Sequence, residues 1–223
     1  VKAYVGQTRS AELIKYLKKE GIGECTVRGE LPPRRRPYFH DNGAYRDWEL
    51  WKSGDKHQLA MAGIGIHPHG FDSVRWDRDM RWMRDRHLFE KYPLPDFVVV
   101  PDVVGDGEES LRMSREYLGD VPCILPVYLA VQDGMETMMQ SVVRDMREYD
   151  GLFVGGTDEW KERTAGRWVG LAHINGLKCH IGRVGTARKV RWARSINADS
   201  IDSSFPLFHA DHMGEFIAAL NGD

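Results

Sequence analysis

Residues 97 to 132 read F-V-V-V-P-D-V-V-G-D-G-E-E-S-L-R-M-S-R-E-Y-L-G-D-V-P-C-I-L-P-V-Y-L-A-V-Q. Phe97 to Val100 is an apolar run too short for a helix, and Pro101-Asp102 ends it. A helix is expected from about Glu108 to Leu118. A second apolar run, Ile124 to Val131, stops on Gln132. The unit is strand, polar residue, helix, and it repeats downstream. Met135 to Tyr149 reads as a helix, Leu152 to Val154 as a strand ending on Gly155-Gly156, and Glu159 to Asn175 as a helix. Lys178 to Ile181 then ends on Gly182-Arg183, Arg188 to Ile196 is helical, and Asp199 to Ile201 ends on Asp202. A helix from Met213 to Leu220 follows.

Upstream, Lys2 to Gly6 is a strand, and Ser10 caps a helix through Glu20 with Leu13, Ile14 and Leu17 at helical spacing. Glu24 to Arg28 and Tyr38 to Asp41 are two more strands, and Ala44 to Lys52 a helix. Residues 53 to 95 are less regular and read as an insertion between strands three and four, with a helix at Ser73 to Phe89. Eight strands alternating with helices give a single-domain (β/α)8 TIM barrel over residues 1 to 223. The inner strands are continuous apolar runs, as sheets covered on both faces require. In such a barrel the C-terminal strand ends converge on one face. Asp41, Asp102, Gln132, Gly156, Arg183 and Asp202 all hold such positions.

Composition narrows the class. The apolar fraction of 42% and charged fraction of 29% suit a soluble globular chain, and no apolar run nears the roughly 20 residues that span a bilayer. The opening V-K-A-Y-V-G lacks the layout of a signal peptide, so a cytoplasmic protein is expected, in the host cytoplasm if viral. Cys25, Cys123 and Cys179 lie too far apart for a metal knuckle and read as buried thiols. The net charge is only -2, but basic residues cluster at Arg34 to Arg36, Arg75 to Arg86 and Arg183 to Arg194.

Carboxylates that converge with a Gln and glycine backbone suit chemistry at an acetal-like carbon: one acid attacks, another moves the proton. N-glycosidic bonds are one such target. In A-D-S-I-D-S-S-F-P, residues 198 to 206, an isolated D-x-x-D would by itself only cap a turn and satisfy backbone N–H groups. The barrel register instead puts Asp202 on the active face. A metal-dependent hydrolase is the alternative from His67-Pro68-His69, with His180 and Asp202 as further ligands.

Five segments, F-H-D-N-G-A-Y-R (39 to 46), P-D-V-V-G-D (101 to 106), Y-L-A-V-Q-D-G-M (128 to 135), L-F-V-G-G-T-D-E-W (152 to 160) and A-D-S-I-D-S-S-F-P, resemble in order the active-site segments of the tRNA-guanine transglycosylase (queuine tRNA-ribosyltransferase) superfamily. They are closest to its DNA-acting branch, the phage and bacterial enzymes that insert 7-deazaguanines. The resemblance implies a glycosyltransferase without a cofactor, exchanging guanine in DNA for a base such as 7-cyano-7-deazaguanine. Asp202 would be the nucleophile and Asp41 the general acid/base. Tyr45 would stack on the purine, while Asp102, Gln132 and Gly156, with Asn42, Gly155 and Arg183 around them, would hold it. Asp199 would support the Asp202 turn.

The departures are informative. The C-x-C-x-x-C and later His of the tRNA enzymes' zinc subdomain have no counterpart here, so no metal site is expected, and tRNA specificity and a family-type dimer are both in question. The oligomeric state is open. The paired glycines after the base-reading Gln are Asp133-Gly134, and the serine after the proton-handling Asp is Asn42.

For nucleic-acid contact, Arg34, Arg35 and Arg36 after strand two and Arg188, Lys189 and Arg191 after strand seven are expected to neutralise phosphates. The target nucleotide must be flipped out or single-stranded, and Trp76 or Trp82 could stack on exposed bases or simply pack the insertion helix. Exchange of tRNA bases, nucleoside hydrolysis and a catalytically inactive nucleic-acid-binding barrel are the other readings of the same residues.

Overall fold

In a computed structural model, which describes residues 1–54, 71–208 and 210–222, the chain forms a closed, all-parallel eight-stranded barrel with strands in sequence order. The strands are β1 (Lys2–Gly6), β2 (Gly23–Val27), β3 (Tyr38–Asp41), β4 (Val98–Val99), β5 (Val127–Val131), β6 (Gly151–Val154), β7 (Lys178–Ile181) and β8 (Ser200–Ser203). The described helices are α1 (Ala11–Lys19), α2 (Ala44–Ser53), α3 (Ser73–Glu90), α4 (Gly107–Leu118), α5 (Met139–Asp145), α6 (Asp158–Ile174), α7 (Ala187–Ser195), the short α8 (Phe205–Phe208) and α9 (Met213–Asn221). β1 closes on β8, with Tyr4 level with Asp202. Among the described residues no helix is long and apolar enough to cross a membrane.

Side chains alternate along a strand, so each strand contributes to two cores. Outward residues such as Val5, Val98, Val100, Leu129, Val131, Leu152, Ile181 and Ile201 pack under the helices. Inward residues form a second cluster of Tyr4, Cys25, Phe39, Phe97, Val99, Tyr128, Ala130 and Phe153. Five aromatic rings in so small a barrel leave no room for more bulk: a Cβ on Gly151 would meet the Tyr128 ring at 2.5 Å.

Several expectations change in three dimensions. The helix assigned to the insertion, α3, buries Trp76, Met80 and Met83 in the same core as the strands, so it belongs to the barrel's outer layer. Trp76 is fully buried against His40 and Phe71 and has no face for a base, while Trp82 packs edge-on to Tyr92. The helix expected at Met135 to Tyr149 is two 3-10 turns flanking α5. Cys123 is exposed, unlike Cys25 and Cys179. The segment 55–70, with His67 and His69, lies outside the described residues.

No helix joins β2 to β3; the R-G-E-L-P-P-R-R-R-P loop covers the wall instead. This overturns the phosphate-contact expectation for one of its arginines, Arg35. Arg35 is buried, its guanidinium donating to the carbonyls of Val5 and Gly6 at 2.7 and 3.0 Å, with Nη1 3.4 Å from the buried Glu24 carboxylate. It cannot reach a phosphate. Glu24 also accepts the backbone N–H groups of Arg34 and Arg35. Arg28 is buried too, holding the Asn42 carbonyl at 2.9 Å and pairing with Asp47 of α2. Arg34 and Arg36 remain exposed, Arg36 lying 4.0 Å over the Tyr92 ring.

Removing one member of a buried ion pair strands the other without compensation, at about 3–5 kcal/mol. Arg35→Met is therefore expected to lower the unfolding free energy in urea by about 3 kcal/mol, and the neighbouring exposed Arg34→Met by under about 0.5 kcal/mol.

Candidate active site

The same alternation that builds the aromatic floor builds the site above it. Asp41 is two residues beyond Phe39 on β3, Gln132 two beyond Ala130 at the end of β5, Gly155 two beyond Phe153, and Asp202 two beyond Ser200 on β8. One inward step up each strand, the packed floor gives way to polar side chains on β3, β5 and β8 and to glycine backbone after β6. These residues line one cleft with Asn42, Tyr45, Asp102, Gly156 and Arg183. Every residue expected to catalyse or to hold the purine therefore borders one cavity.

The D-N-G turn after β3 is fixed from both sides. Asp41 accepts the Gly43 N–H at 2.6 Å, and Asn42 accepts that of Ala44 at 2.7 Å. The Asn42 amide donates to the Val100 carbonyl and to Asp102, each at 2.7 Å. Gln132 donates to the other oxygen of Asp102, and its own carbonyl accepts the N–H of Gly156 at 2.7 Å and of Gly105 at 3.2 Å. Gly155 is where the Gln132 amide crosses the backbone: a Cβ there would lie 2.2 Å from Nε2. In this structure the expected base-edge readers thus bond one another. A purine edge would have to take over some of these bonds.

Arg183 has φ of +60°, a conformation rarely adopted outside glycine and concentrated at functional sites. Its N–H points to Asp202 Oδ1 at 3.3 Å, its guanidinium donates to the Gly156 carbonyl, and the cation lies 4.2 Å from the Tyr45 ring centroid. Tyr45 is 40% exposed, and Arg183 covers the face expected to receive a base.

Burial is the main influence on two of the three acids. It raises Asp41 to about 7, with Asp102 and Asp202 adding like-charge repulsion against the Gly43 hydrogen bond. It raises Asp102 to about 6, against the hydrogen bonds of Asn42 and Gln132 and the Arg183 charge. Asp202 accepts from His180 Nε2 at 2.9 Å.

Three residues escaped the sequence reading. His180, which the sequence offers only as a possible metal ligand, is in the fold Asp202's buried partner. Lys161 of α6 reaches under the site to donate to the Gly182 carbonyl at 2.6 Å, and burial lowers it to about 8. Arg28 buttresses Asn42. A buried cation leaves no periodic trace in sequence, and only its need for an acidic or carbonyl partner could have betrayed it.

Asp199 does not support the Asp202 turn. It precedes β8 at the N-terminal mouth, where it accepts the Cys179 N–H at 2.8 Å and faces His173 at 2.9 Å. Of the basic residues on α7, Lys189 pairs with Asp158 and Arg188 with Glu162, and Arg191 is exposed. Lys189 also borders a second compartment that shares Tyr45, Arg183 and Asp202 with the cleft.

Compared with protein-family models the chain matches none, and no curated protein is significantly similar to it.

Asp41 offers a test that needs no substrate. Because its folded value of about 7 exceeds the usual 3.8, the folded protein retains a proton that the unfolded chain releases. That contribution to stability is full below about pH 4 and is lost as pH rises through about 7. Asp41→Asn keeps an acceptor for Gly43, and is expected to match the parent in Tm at pH 4 and to exceed it by a few degrees at pH 8. Thermal scans at the two pH values measure this.

Proposed function

We propose that the protein is a DNA-guanine transglycosylase that exchanges guanine for a 7-deazaguanine, such as 7-cyano-7-deazaguanine, in the cytoplasm. The observation that carries the reading is the convergence of Asp41, Asp102 and Asp202 with Gln132 on one cleft at the C-terminal end of the barrel. The five-segment resemblance adds the base and the polymer.

In this reading the Asp202 carboxylate attacks C1′ of the deoxyribose. The bond to guanine N9 breaks, the electron pair leaves with the base, and Asp41 supplies the proton that neutralises it. The sugar is then an ester of Asp202. The incoming 7-deazaguanine gives its N9 proton to Asp41 and attacks C1′, and Asp202 is released as carboxylate. A group near pH 7 suits this double duty, since it must be acid in one half and base in the other.

Asp102, held by Asn42 and Gln132, would accept donors of the purine edge, and the Gly156 N–H would turn from Gln132 to a purine acceptor. Entry of the base between Tyr45 and the barrel requires Arg183 to leave the ring. Released, Arg183 faces the second compartment that Lys189 borders, where the phosphates beside the flipped nucleotide would run.

Asp202→Ala is expected to reduce base exchange by at least about 10³-fold while DNA affinity stays within a few-fold. The parent should give a denaturation-resistant protein–DNA adduct that the variant does not. Nucleoside mass spectrometry of digested DNA and tRNA after incubation with the labelled base distinguishes the polymers. Label in tRNA alone, or retained exchange in the variant, overturns the reading.

A further inference from the structure

We propose that His180 is a positioning residue: its Nε2–H fixes one oxygen of Asp202, Ser200 fixes the His180 tautomer, and the other Asp202 oxygen is thereby aimed at the substrate. The inference rests on Asp202 being the group that attacks.

The geometry starts from alternation. Ser200 and Asp202 are two apart on β8 and both face inward, and His180 faces inward on the neighbouring β7, where it is level with Ser200. The imidazole therefore lies between a hydroxyl below and a carboxylate above. Its Nδ1 is 2.8 Å from Ser200 Oγ and its Nε2 2.9 Å from Asp202 Oδ1. A carboxylate only accepts, so Nε2 carries the proton. Nδ1 is then the acceptor, and the Ser200 hydroxyl donates to it. Burial lowers the proton affinity of His180, which keeps the ring neutral and this tautomer defined.

The ring itself cannot turn. It is fully buried, stacked on Phe153 at 5.0 Å and 11°, with Phe39 at 4.9 Å and Phe97 at 5.2 Å. A residue that only filled the aromatic floor would be served better by a sixth hydrocarbon ring. A buried imidazole carries two polar atoms that each need a partner, and here each has one. The Arg183 N–H reaches the same Asp202 Oδ1. Among the described residues both hydrogen bonds of Asp202 thus fall on one oxygen, which leaves the other uncommitted on a residue that borders the cleft. The arrangement follows the logic of an imidazole held by an orienting partner, in which the wrong tautomer disables a correctly placed group.

His180→Phe preserves the stacked ring and deletes the donor. It is expected to lower kcat for base exchange by about 10²-fold, with KM and DNA affinity within about threefold. His180→Gln, whose amide can reach toward Asp202 with a donor, should recover at least about tenfold of that loss, which a purely structural role does not predict. Ser200→Ala releases the tautomer and should cost about tenfold.

Nitrogen-15 NMR of the parent should place the His180 proton on Nε2 at neutral pH, and Ser200→Ala should give a mixture of tautomers. Unchanged kcat in His180→Phe, or a parent ring protonated on Nδ1, overturns the proposal. If the parent exchanges no base, the functional reading has failed. The NMR experiment then still decides whether the ring is locked against Asp202, and so separates the two failures. Should His180→Phe not fold, Ser200→Ala and His180→Gln with the same spectra carry the test.

Discussion

The site depends on a single constraint: the inward face of the barrel beneath the carboxylates is packed mainly with aromatic rings. Tyr4, Phe39, Phe97, Tyr128 and Phe153 close the interior. Charged groups placed one residue pair higher therefore meet an apolar floor on one side and solvent on the other. That is why burial, rather than any specific partner, is the leading influence on Asp41 and Asp102. Replacing those rings with small side chains would admit water beneath the acids and move them back toward ordinary carboxylate behaviour. The floor and the chemistry above it are one design, written into alternate positions of the same strands.

A second consequence concerns the wall. Where β2 passes to β3 without a helix, the outer face of the barrel is covered by a Pro- and Arg-rich loop, and Glu24 replaces the expected apolar side chain. The buried Arg35 spans the carbonyls of β1 and the Glu24 carboxylate, so it caps polar groups that a helix would have left paired within the sheet alone. The electrostatic cost of burying these charges is offset in part by backbone hydrogen bonds to both, while Arg35 Nε and Nη1 have no hydrogen-bond partner among the described residues. Arg28, next along the same loop, extends the device into the site by gripping the carbonyl of Asn42 and the α2 residue Asp47.

These features explain which parts were legible in the sequence. Apolar runs ending on Asp41, Asp102, Gln132 and Asp202 announce strands whose last residues face one mouth, and the closed parallel barrel follows that count. Charge was misread where it is buried. Arg28 and Arg35 look like solvent-facing residues because nothing local marks a cation for burial; the partners Asp47 and Glu24 come from elsewhere in the chain. The pair Asp199 and Asp202 was misread for a different reason. They are only three positions apart, but a strand rises about 3.3 Å per residue. Asp199 consequently sits at the opposite end of β8, bonded to Cys179 and His173. Trp76 shows the same limit, since the amphipathic pattern of a helix does not say which sheet it will meet.

The three acids are chemically alike in sequence, and their hydrogen bonds distinguish them. Asp102 accepts from Asn42 on one oxygen and from Gln132 on the other. Held twice, it is oriented for recognition and poorly suited to form a bond to carbon. Asp41 accepts one short bond from a backbone N–H, and its neighbours Asp102 and Asp202 favour its protonated form, which suits a group that trades protons. Asp202 borders the cleft and accepts from His180 and Arg183 on the same oxygen, which leaves the other uncommitted among the described residues. A carboxylate fixed at one oxygen keeps a lone pair in a defined direction at little entropic cost on attack. The proposed division into reader, proton carrier and nucleophile therefore rests on two separate supports, the resemblance and the count of oxygens already committed.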